Sequence, residues 1–400
     1  MIARLGRREL IRAGLGAAML PGLRGLAFAG QAGPPAPLLI LVFLRGGMDS
    51  LHFLSPADDA AFVEMRAAEL RTTAEGAQAG DRLDAHRAVD FRLHREAAGL
   101  AGIWRDRRLA LWPAAGLPEP TRSHFEAQSL MATGRGRSRE ARGGGWLGAW
   151  AAALGQDVLP GPFALAGQGG LPPDLAGAGR AVSVPSLAGG LALPGGRIGA
   201  LAIEALHADG QDAVSRAARA AIGDLRALEA LLPRDGEGRV LPYRPANSAD
   251  YAGAGGFGAA LAAVAQAAKI HPGLVAAQVD LGGWDTHEGQ GWRLPNLVRT
   301  LSRGLAALDA DLADLPRRWT VLVASEFGRR LRANGSGGTD HGRAGTVMAF
   351  GRGGALGGHF GAWPGLARDA LEDGVDLAVA EDYRAVFRRV MQDLAGRSVV

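Results

Sequence analysis

Carboxylates, imidazoles and a hydroxyl follow separate apolar segments of the chain, each time in a loop rich in Gly or Pro. These side chains are Asp49, Ser123, His124, Asp285, His287 and Glu326, and the pair Asp340–His341 lies in a loop that leads into a further apolar segment. The loops after parallel strands lie together at one edge of an open sheet, where ligands bind. Imidazoles and carboxylates gathered there can hold a divalent metal ion, and a hydroxyl beside them can be a nucleophile. The pattern therefore predicts one site built from several parts of the chain.

Two of these residues also have a structural explanation as helix caps. Asp49 follows a predicted strand, and Asp in that position commonly caps the next helix. Ser123 precedes a predicted helix over 124–131, and Glu126 can complete a capping box with it. In the functional interpretation, the same helix N-terminus binds an anion and stabilises a serine nucleophile.

Ion pairing is the structural alternative for three further residues. Asp285 and His287 lie two residues apart. They can turn to one metal ion in a loop, or they can pair with each other. Glu326 can bind a metal ion, or it can pair with Arg329 or Arg330. Because all these residues occur together in loops beside predicted strands, the pattern favours a functional site over separate caps and ion pairs.

Apolar runs predict the elements that position these residues. The run LLILVFL (38–44) is typical of a strand buried on both faces of a parallel sheet. Further strands are predicted at 108–116, 274–281, 320–325 and 346–351, and helices at about 95–106, 124–131, 211–232, 257–270, 295–315 and 377–395. Strands that alternate with helices predict an α/β fold, a mostly parallel central sheet between two layers of helices. Residues 146–245 are predicted to be an insertion or cap.

The charge of the chain excludes one class of partner. The formal net charge is +4 over 400 residues, but residues 1–29 contain five Arg and one Glu, so the remainder is neutral. A neutral body offers no electrostatic surface for a phosphate backbone, and nucleic-acid binding is not predicted.

No apolar run approaches the ~20 residues that a transmembrane span needs.

Residues 1–29 have the order of a secretory signal peptide: a basic start, an apolar stretch at 13–23, then Ala27-Phe28-Ala29. The adjacent Arg7 and Arg8 resemble the twin-arginine export motif. We therefore expect the twin-arginine machinery to deliver residues 30–400 to the periplasm or the exterior. The alternative is that this segment is a basic amphipathic helix of the mature protein. The absence of Cys agrees with an oxidising compartment.

Five blocks of sequence carry a resemblance to a known family. They are LVFLRGGMDSLHFL, TRSHFEAQSLMATG, VDLGGWDTHEGQ, VASEFGRRLRANGSGGTDHG and GGHFGAWPGL. They resemble the signature blocks of an exported bacterial family catalogued as domain of unknown function 1501. That family is similar to the alkaline phosphatase-like superfamily, which includes sulfatases and phosphodiesterases. The resemblance implies a three-layer α/β/α fold over residues 30–400 with one or two metal ions.

The resemblance also implies roles for individual residues. Asp49, Asp285, His287 and His341 match metal ligands, Ser123 lies near the nucleophile position, and Glu326-Phe327-Gly328 stands where the superfamily has Asp-His-Gly. The chain departs from the pattern in four places. The spacing of the nucleophile falls on His124, Asp285 and His287 are two rather than four residues apart, and Phe327 replaces a ligand His. No Cys is available to become a formylglycine.

These observations predict an exported metal-dependent hydrolase of phosphate or sulfate esters, acting on a small molecule or a polysaccharide. One or two divalent ions, Zn or Mn rather than Mg, are expected on ligands drawn from Asp49, Asp285, His287, Glu326, Asp340 and His341. Ser123 is expected to attack, while His124 or Arg45 steadies the anion. The alternative is a catalytically inactive exported binding protein with the same fold.

Replacing both Arg7 and Arg8 by Lys should leave the protein in the cytoplasm with its N-terminal segment uncleaved, because the arginine pair is the export address. Cell fractionation and the mass of the purified chain measure this outcome. Normal appearance of the processed form outside the inner membrane would contradict the assignment.

Overall fold

A nine-stranded, mostly parallel sheet forms the centre of the part of the chain that the structure describes. The computed structural model describes residues 35–84, 88–134, 144–154, 161–162, 164–167, 169–191 and 195–396. The strands are β1 (Leu38–Leu44), β2 (Leu54–Pro56), β3 (Asp81–Leu83), β4 (Phe91–Leu93), β5 (Leu109–Gly116), β6 (Ala164–Ala166), β7 (Ala181–Ser183), β8 (Ala276–Leu281), β9 (Trp319–Ser325), β10 (Gly345–Arg352), β11 (Gly358–His359) and β12 (Glu381–Asp382). The central sheet has the order β11-β5-β10-β9-β1-β8-β6-β7, with β12 also paired to β5, and β2-β4-β3 form a small second sheet.

Helices connect the strands and cover the sheet. The α-helices are α1 (Ser50–Phe53), α2 (Ala60–Met65), α3 (Ala98–Arg105), α4 (His124–Thr133), α5 (Trp146–Leu154), α6 (Gly196–His207), α7 (Ala213–Ala230), α8 (Gly255–Ile270), α9 (Gln290–Asp311) and α10 (Tyr383–Ala395). Short 3-10 helices lie at Ala68–Leu70, Arg95–Ala97, Pro173–Leu175 and Ala252–Ala254. Within the described residues, no helix is long and apolar enough to cross a membrane.

Both faces of the sheet are buried, as the continuous apolar run of β1 predicts. Leu38, Ile40, Val42 and Leu44 point into one core, which is completed by buried residues of α3, α8 and α9. Leu39, Leu41 and Phe43 point into the other, which is completed by α4, α5 and α10. The alternation along one strand thus joins two helical layers through a single sheet. The predicted three-layer α/β/α fold is confirmed.

The direction of the strands brings the chemically capable loops to one edge. β1 pairs in parallel with both β8 and β9, so the loops that follow these three strands emerge side by side. β10 runs antiparallel to β9. Its first residue therefore lies at the edge where β9 ends, and the loop before β10 joins the same group. This is how Asp340–His341 can precede a strand and still reach the loops that follow the others.

The predicted strands and helices outside residues 146–245 are present with shifts of a few residues. α9 begins at Gln290, five residues before the predicted start, so Pro295 lies inside the helix. Two strands of the 146–245 region, β6 and β7, extend the central sheet beside β8. Part of the expected insertion therefore belongs to the sheet itself. The expected signal segment, 1–29, lies outside the described residues.

Gly328 keeps two site-bearing segments in contact behind the sheet edge. Its N–H donates to the carbonyl of Arg343 at 3.0 Å, and its own carbonyl accepts from the N–H of Gly342 at 2.9 Å. A Cβ at this position would lie 1.9 Å from the carbonyl oxygen of Ala344. Because that neighbour is backbone, it cannot rotate away. Glycine is therefore required where the chain that follows Glu326 passes the chain that follows His341.

Changing Gly328 to Ala should lower the free energy of unfolding by about 2–3 kcal/mol, since the added methyl must push two backbone segments apart. Denaturant unfolding measures the change. Gly335 offers a matched control in the same stretch, because it is exposed and a Cβ there would meet nothing within 4 Å. Equal stabilities of the two variants would show that the close packing at Gly328 is not needed.

Candidate metal centre

Three imidazoles and one carboxylate converge at the carboxyl edge of the sheet. The Nε2 atom of His341 lies 3.2 Å from Asp285 Oδ1, and that of His287 lies 3.1 Å from the same oxygen. The Nε2 atom of His124 lies 3.5 Å from Asp285 Oδ2. The two Nε2 atoms of His287 and His341 are 2.9 Å apart. One ligand atom from each of His124, Asp285 and His341 fits within 4.8 Å of the others.

Separate elements deliver these side chains. His124 is the first residue of α4, which follows β5. Asp285 and His287 lie in the loop between β8 and α9. His341 lies in the loop before β10, and an isolated antiparallel bridge pairs it with Arg329. Asp285, His287 and His341 are predicted from sequence to share one site, and the structure brings them together. His124, expected beside the reacting anion, points its Nε2 at the same place.

The opposite side of each imidazole faces an acceptor. His124 Nδ1 lies 2.8 Å from Glu326 Oε1, and His287 Nδ1 lies 3.0 Å from Asp340 Oδ1. His341 Nδ1 lies 2.7 Å from the carbonyl oxygen of Arg122. Ionised carboxylates and carbonyls only accept, so each Nδ1 carries the hydrogen. In neutral rings, every Nε2 then presents a lone pair to the common point. Glu326 and Asp340, expected as metal ligands, lie behind the imidazoles and orient them.

This arrangement fits a metal ion. Two imidazole lone pairs 2.9 Å apart repel each other unless a metal ion lies between them or one ring also carries a proton on Nε2. The Nε2 atom of His124 is buried, and it has no hydrogen-bond partner among the described residues. Ligand atoms about 2 Å from a tetrahedral metal ion lie about 3.3 Å from one another. The atoms of His124, Asp285 and His341 lie within 4.8 Å of one another, and His287 adjoins this group through its contacts with Asp285 and His341. Histidines whose Nδ1–H is held by a carboxylate or carbonyl are usual at such centres.

Two carboxylates of the site are held in the ionised form. Burial raises the pKa of Asp285, but the hydrogen bond from Arg329 and the positive charge of its guanidinium outweigh it and lower the pKa to about 2. Glu326 is almost completely buried. Burial raises its pKa too, yet hydrogen bonds from His124 and Gln128 bring it below the usual range. Both groups therefore remain anionic throughout the neutral range.

The carboxylates also tune the rings that they face. The hydrogen bond to Glu326 raises the pKa of His124, whereas burial lowers the pKa of His341. Hydrogen bonds from Asn334 and His287 lower the pKa of Asp340. The side chains of Asp285 and His287 are about half exposed, while those of His124 and His341 are mostly covered. The site thus opens to solvent on the side of Asp285 and His287.

Asp49 lies in a separate buried network. Its Oδ1 accepts from the N–H groups of Leu51 and His52, both at 3.1 Å, so it caps α1 as the structural alternative expects. Its Oδ2 accepts from Arg66 in an ion pair in which both side chains are fully buried. Gln290 donates to the same oxygen. Both oxygens of Asp49 are thus occupied by protein donors.

Ser123 and Arg45 flank the cluster without entering it. Ser123 is exposed and caps α4, its Oγ accepting from the N–H of Glu126 at 3.5 Å. Thr121 lies between the two residues of the expected capping box: the N–H of Ser123 donates to Thr121 Oγ1 at 3.2 Å, and Thr121 Oγ1 donates to the carboxylate of Glu126. The guanidinium of Arg45 donates to two side chains, Asp280 and Gln128, each at 2.8 Å.

The sequence analysis did not assign several residues that shape the site. Arg329 holds Asp285, Gln128 holds Glu326, and Asn334 holds Asp340. Arg66 pairs with Asp49. The guanidinium of Arg329, the partner of Glu326 in the ion-pair alternative, donates to Asp285 instead. Nothing in the spacing of these residues indicates a partner so far away in sequence.

A family comparison covers part of the cluster. The model of the family described as "Protein of unknown function (DUF1501)" matches residues 246–380, which confirms the resemblance over that stretch. The match includes Asp285, His287, Glu326 and His341. It begins at residue 246, so it does not include His124. No curated protein matches the chain.

Solved structures with a similar fold have low identity. The crystal structure of Ps i-CgsB in complex with k-i-k-neocarrahexaose is 11% identical, with a TM-score of 0.38, and the match covers 91% of this chain and 73% of that one. The alkaline phosphatase from the Antarctic bacterium TAB5 is 11% identical, with a TM-score of 0.29, and coverages of 80% and 92%. A mutant of TAB5 alkaline phosphatase with bound Mg gives 12% identity and a TM-score of 0.31, with coverages of 80% and 92%. At this level of similarity, no role of a residue carries over.

Replacing Asp285 or His341 by Ala should lower metal content and melting temperature together. A metal ion that binds the folded chain at a hundredfold excess over its dissociation constant stabilises it by about 3 kcal/mol. Elemental analysis and thermal unfolding, with and without added Zn²⁺, measure both effects. His207→Ala serves as the control, because that ring lies at the end of α6 beside Ser215. If both variants keep the metal content of the wild type, these residues are not ligands.

Proposed function

We propose that this chain is an exported metal-dependent hydrolase of phosphate or sulfate esters, with one divalent ion held by His124, Asp285, His287 and His341. The observation that carries the proposal is the convergence of three Nε2 atoms on one carboxylate, with every Nδ1 bound to an acceptor. A single ion is proposed because Asp49 is occupied by protein donors and Phe327 lies against the rings of His124 and His341 without a ligand atom.

The bound ion would polarise the ester oxygen and neutralise the charge that develops on it. The protein's own part is to hold the ligands in place before substrate arrives. Arg329 fixes Asp285 through a hydrogen bond of 2.6 Å, and the backbone carbonyl of Arg122 fixes His341. Such support limits the reorganisation needed during the reaction.

A hydrogen-bonded chain orients His124 from behind. Arg45 donates to Gln128 Oε1, Gln128 donates to Glu326 Oε1, and Glu326 faces His124 Nδ1, each at 2.8 Å. Arg45 therefore acts through Gln128 and Glu326 in this proposal, rather than by holding the substrate anion. Its second bond, to Asp280, anchors the guanidinium to the end of β8.

Ser123 is the proposed nucleophile. Its Oγ lies at the N-terminus of the ten-residue α4, where free N–H groups and the helix dipole favour an anion. Its cap bond is long, 3.5 Å, so the hydroxyl is weakly engaged. The hydroxyl oxygen would attack phosphorus or sulfur, and the alcohol would leave with the proton of Ser123. Water would then release phosphate or sulfate from the serine.

The location and the substrate class belong to the same proposal. The signal-like order of residues 1–29 supports export to the periplasm or exterior. The half-exposed Asp285 and His287 support access for a small molecule or for an ester on a polysaccharide. The rival function is a binding protein that keeps the fold without turnover.

Ser123→Ala should reduce turnover of aryl phosphate or sulfate esters by orders of magnitude while the metal content stays unchanged, because it removes the attacking oxygen and no ligand. Loss of the cap should also cost about 1 kcal/mol of stability. Initial rates, elemental analysis and thermal unfolding measure the three effects on one variant.

Ser129→Ala is the matched control, since Ser129 is an exposed serine of the same helix. Full turnover by Ser123→Ala would reject the nucleophile assignment and leave Ser123 as a cap. A wild-type chain without metal, inactive on every ester tested, would reject the hydrolase in favour of the binding protein.

A further inference from the structure

Gln290 lies at the buried junction of the two loops that carry most of the candidate ligands. It is the first residue of α9, three positions after His287, and its side chain has no solvent exposure. A buried amide must find partners for its carbonyl oxygen and for both N–H groups, because unsatisfied polar groups are costly in the interior. The partners of Gln290 therefore indicate what it holds.

The amide oxygen of Gln290 accepts from both ligand loops. Thr286 Oγ1 donates to Gln290 Oε1 at 3.0 Å. Thr339 Oγ1 donates to the same oxygen at 2.7 Å, the shorter of its two contacts, the other being 3.3 Å to Asp49 Oδ2. Thr286 lies between Asp285 and His287, and Thr339 lies two residues before His341. One oxygen atom thus fixes the distance between the loop after β8 and the loop before β10.

The amide nitrogen sets the orientation of the group. Gln290 Nε2 donates to Asp49 Oδ2 at 2.6 Å. A carboxylate accepts and does not donate, so the nitrogen must face Asp49 and the oxygen must face the two threonines. Asp49 is itself fixed by its buried ion pair with Arg66. Asp49 therefore offers Gln290 a fixed acceptor, and a rotation of the amide by 180° would place its oxygen against the carboxylate.

Backbone bonds bring the same two loops together. The N–H of Thr339 donates to the carbonyl of Thr286 at 3.2 Å, and the N–H of Gln290 donates to the carbonyl of Gly337 at 3.0 Å. A Cβ on Gly338 would lie 2.3 Å from the carbonyl oxygen of Thr286. The two loops are thus in direct contact. On their buried side, the amide of Gln290 bonds to both and sets the distance between them.

We propose that Gln290, acting through Thr286 and Thr339, is a positioning residue that sets the separation of Asp285 and His287 from His341. The inference rests on the proposed metal centre. In this proposal Asp49 does not bind the metal ion; it accepts the hydrogen bond that holds the amide of Gln290 in place. Groups that hydrogen-bond directly to metal ligands typically change affinity for the ion by about ten- to a hundredfold when they are removed. Gln290 acts one bond further away, so the lower end of that range, about tenfold, is expected.

Valine and serine replacements of the two threonines test the proposal on the full chain. Thr286→Val with Thr339→Val removes both hydroxyls at nearly constant shape, whereas Thr286→Ser with Thr339→Ser keeps them. Thr300→Val is the control, because Thr300 bonds a carbonyl of its own helix far from the site. The probe is Co²⁺, whose visible absorption reports its coordination. The measurements are its dissociation constant, its absorption spectrum and the melting temperature of the metal-free chain.

We expect the double valine variant to bind Co²⁺ about tenfold more weakly with a changed spectrum, while the double serine and Thr300 variants resemble the wild type. If the double valine variant does not fold, the single valine variants decide, each with weakened binding. Valine variants that melt lower but keep the affinity and spectrum of the wild type would overturn the inference. Wild-type binding of Co²⁺ without hydrolysis of any ester would reject the proposed activity alone. No binding of Co²⁺ by the wild type would overturn both.

Discussion

The buried guanidinium of Arg329 is the constraint on which the site edge depends. Its side chain is about 1% exposed, and its N–H groups reach the loops after β1 and β8 and the loop before β10. The acceptors are the carbonyls of Gly46, Gly47, Trp284 and Thr339 and the carboxylate of Asp285. A buried cation without these partners would cost several kcal/mol, so the loops after β1 and β8 and the loop before β10 must hold one arrangement. The convergence of Asp285, His287 and His341 follows from that arrangement.

The framework could be predicted because burial on two faces leaves a strong signal in sequence. LLILVFL alternates between the two cores residue by residue, which requires every position to be apolar. Short strands and irregular loops leave no such signal. β6 and β7 have three residues each, too few for a pattern, and their place beside β8 depends on tertiary pairing. The early start of α9 was missed because Pro295 and the glycines before it resemble a loop.

The site could be predicted in part, for a related reason. Asp285 and His287 follow a strand, and His341 precedes one. Because strand direction fixes the edge of the sheet at which each loop emerges, these positions were sufficient to predict that the three residues lie close together. Which residue touches which could not be read from spacing. Asp49 and Glu326 follow strands just as Asp285 does. One is occupied by Arg66, 17 positions away, and the other turns to His124, 202 positions away. Only the packed fold decides between a ligand, an orienting group and a cap.

The distribution of charge at the cluster bears on the substrate that the proposed hydrolase would accept. Asp285 is the one carboxylate that faces the three Nε2 atoms in the described site, and Arg329 already pairs with it at 2.6 Å. Glu326 and Asp340 accept hydrogen bonds from the Nδ1 side of their imidazoles. Their negative charges therefore lie behind the rings and not beside the Nε2 atoms. A divalent ion held by three neutral imidazoles and a carboxylate that shares its charge with a guanidinium keeps much of its own charge. Such an ion attracts an anionic group more strongly than a neutral ester or amide. That balance supports the proposed preference for a phosphate or sulfate ester.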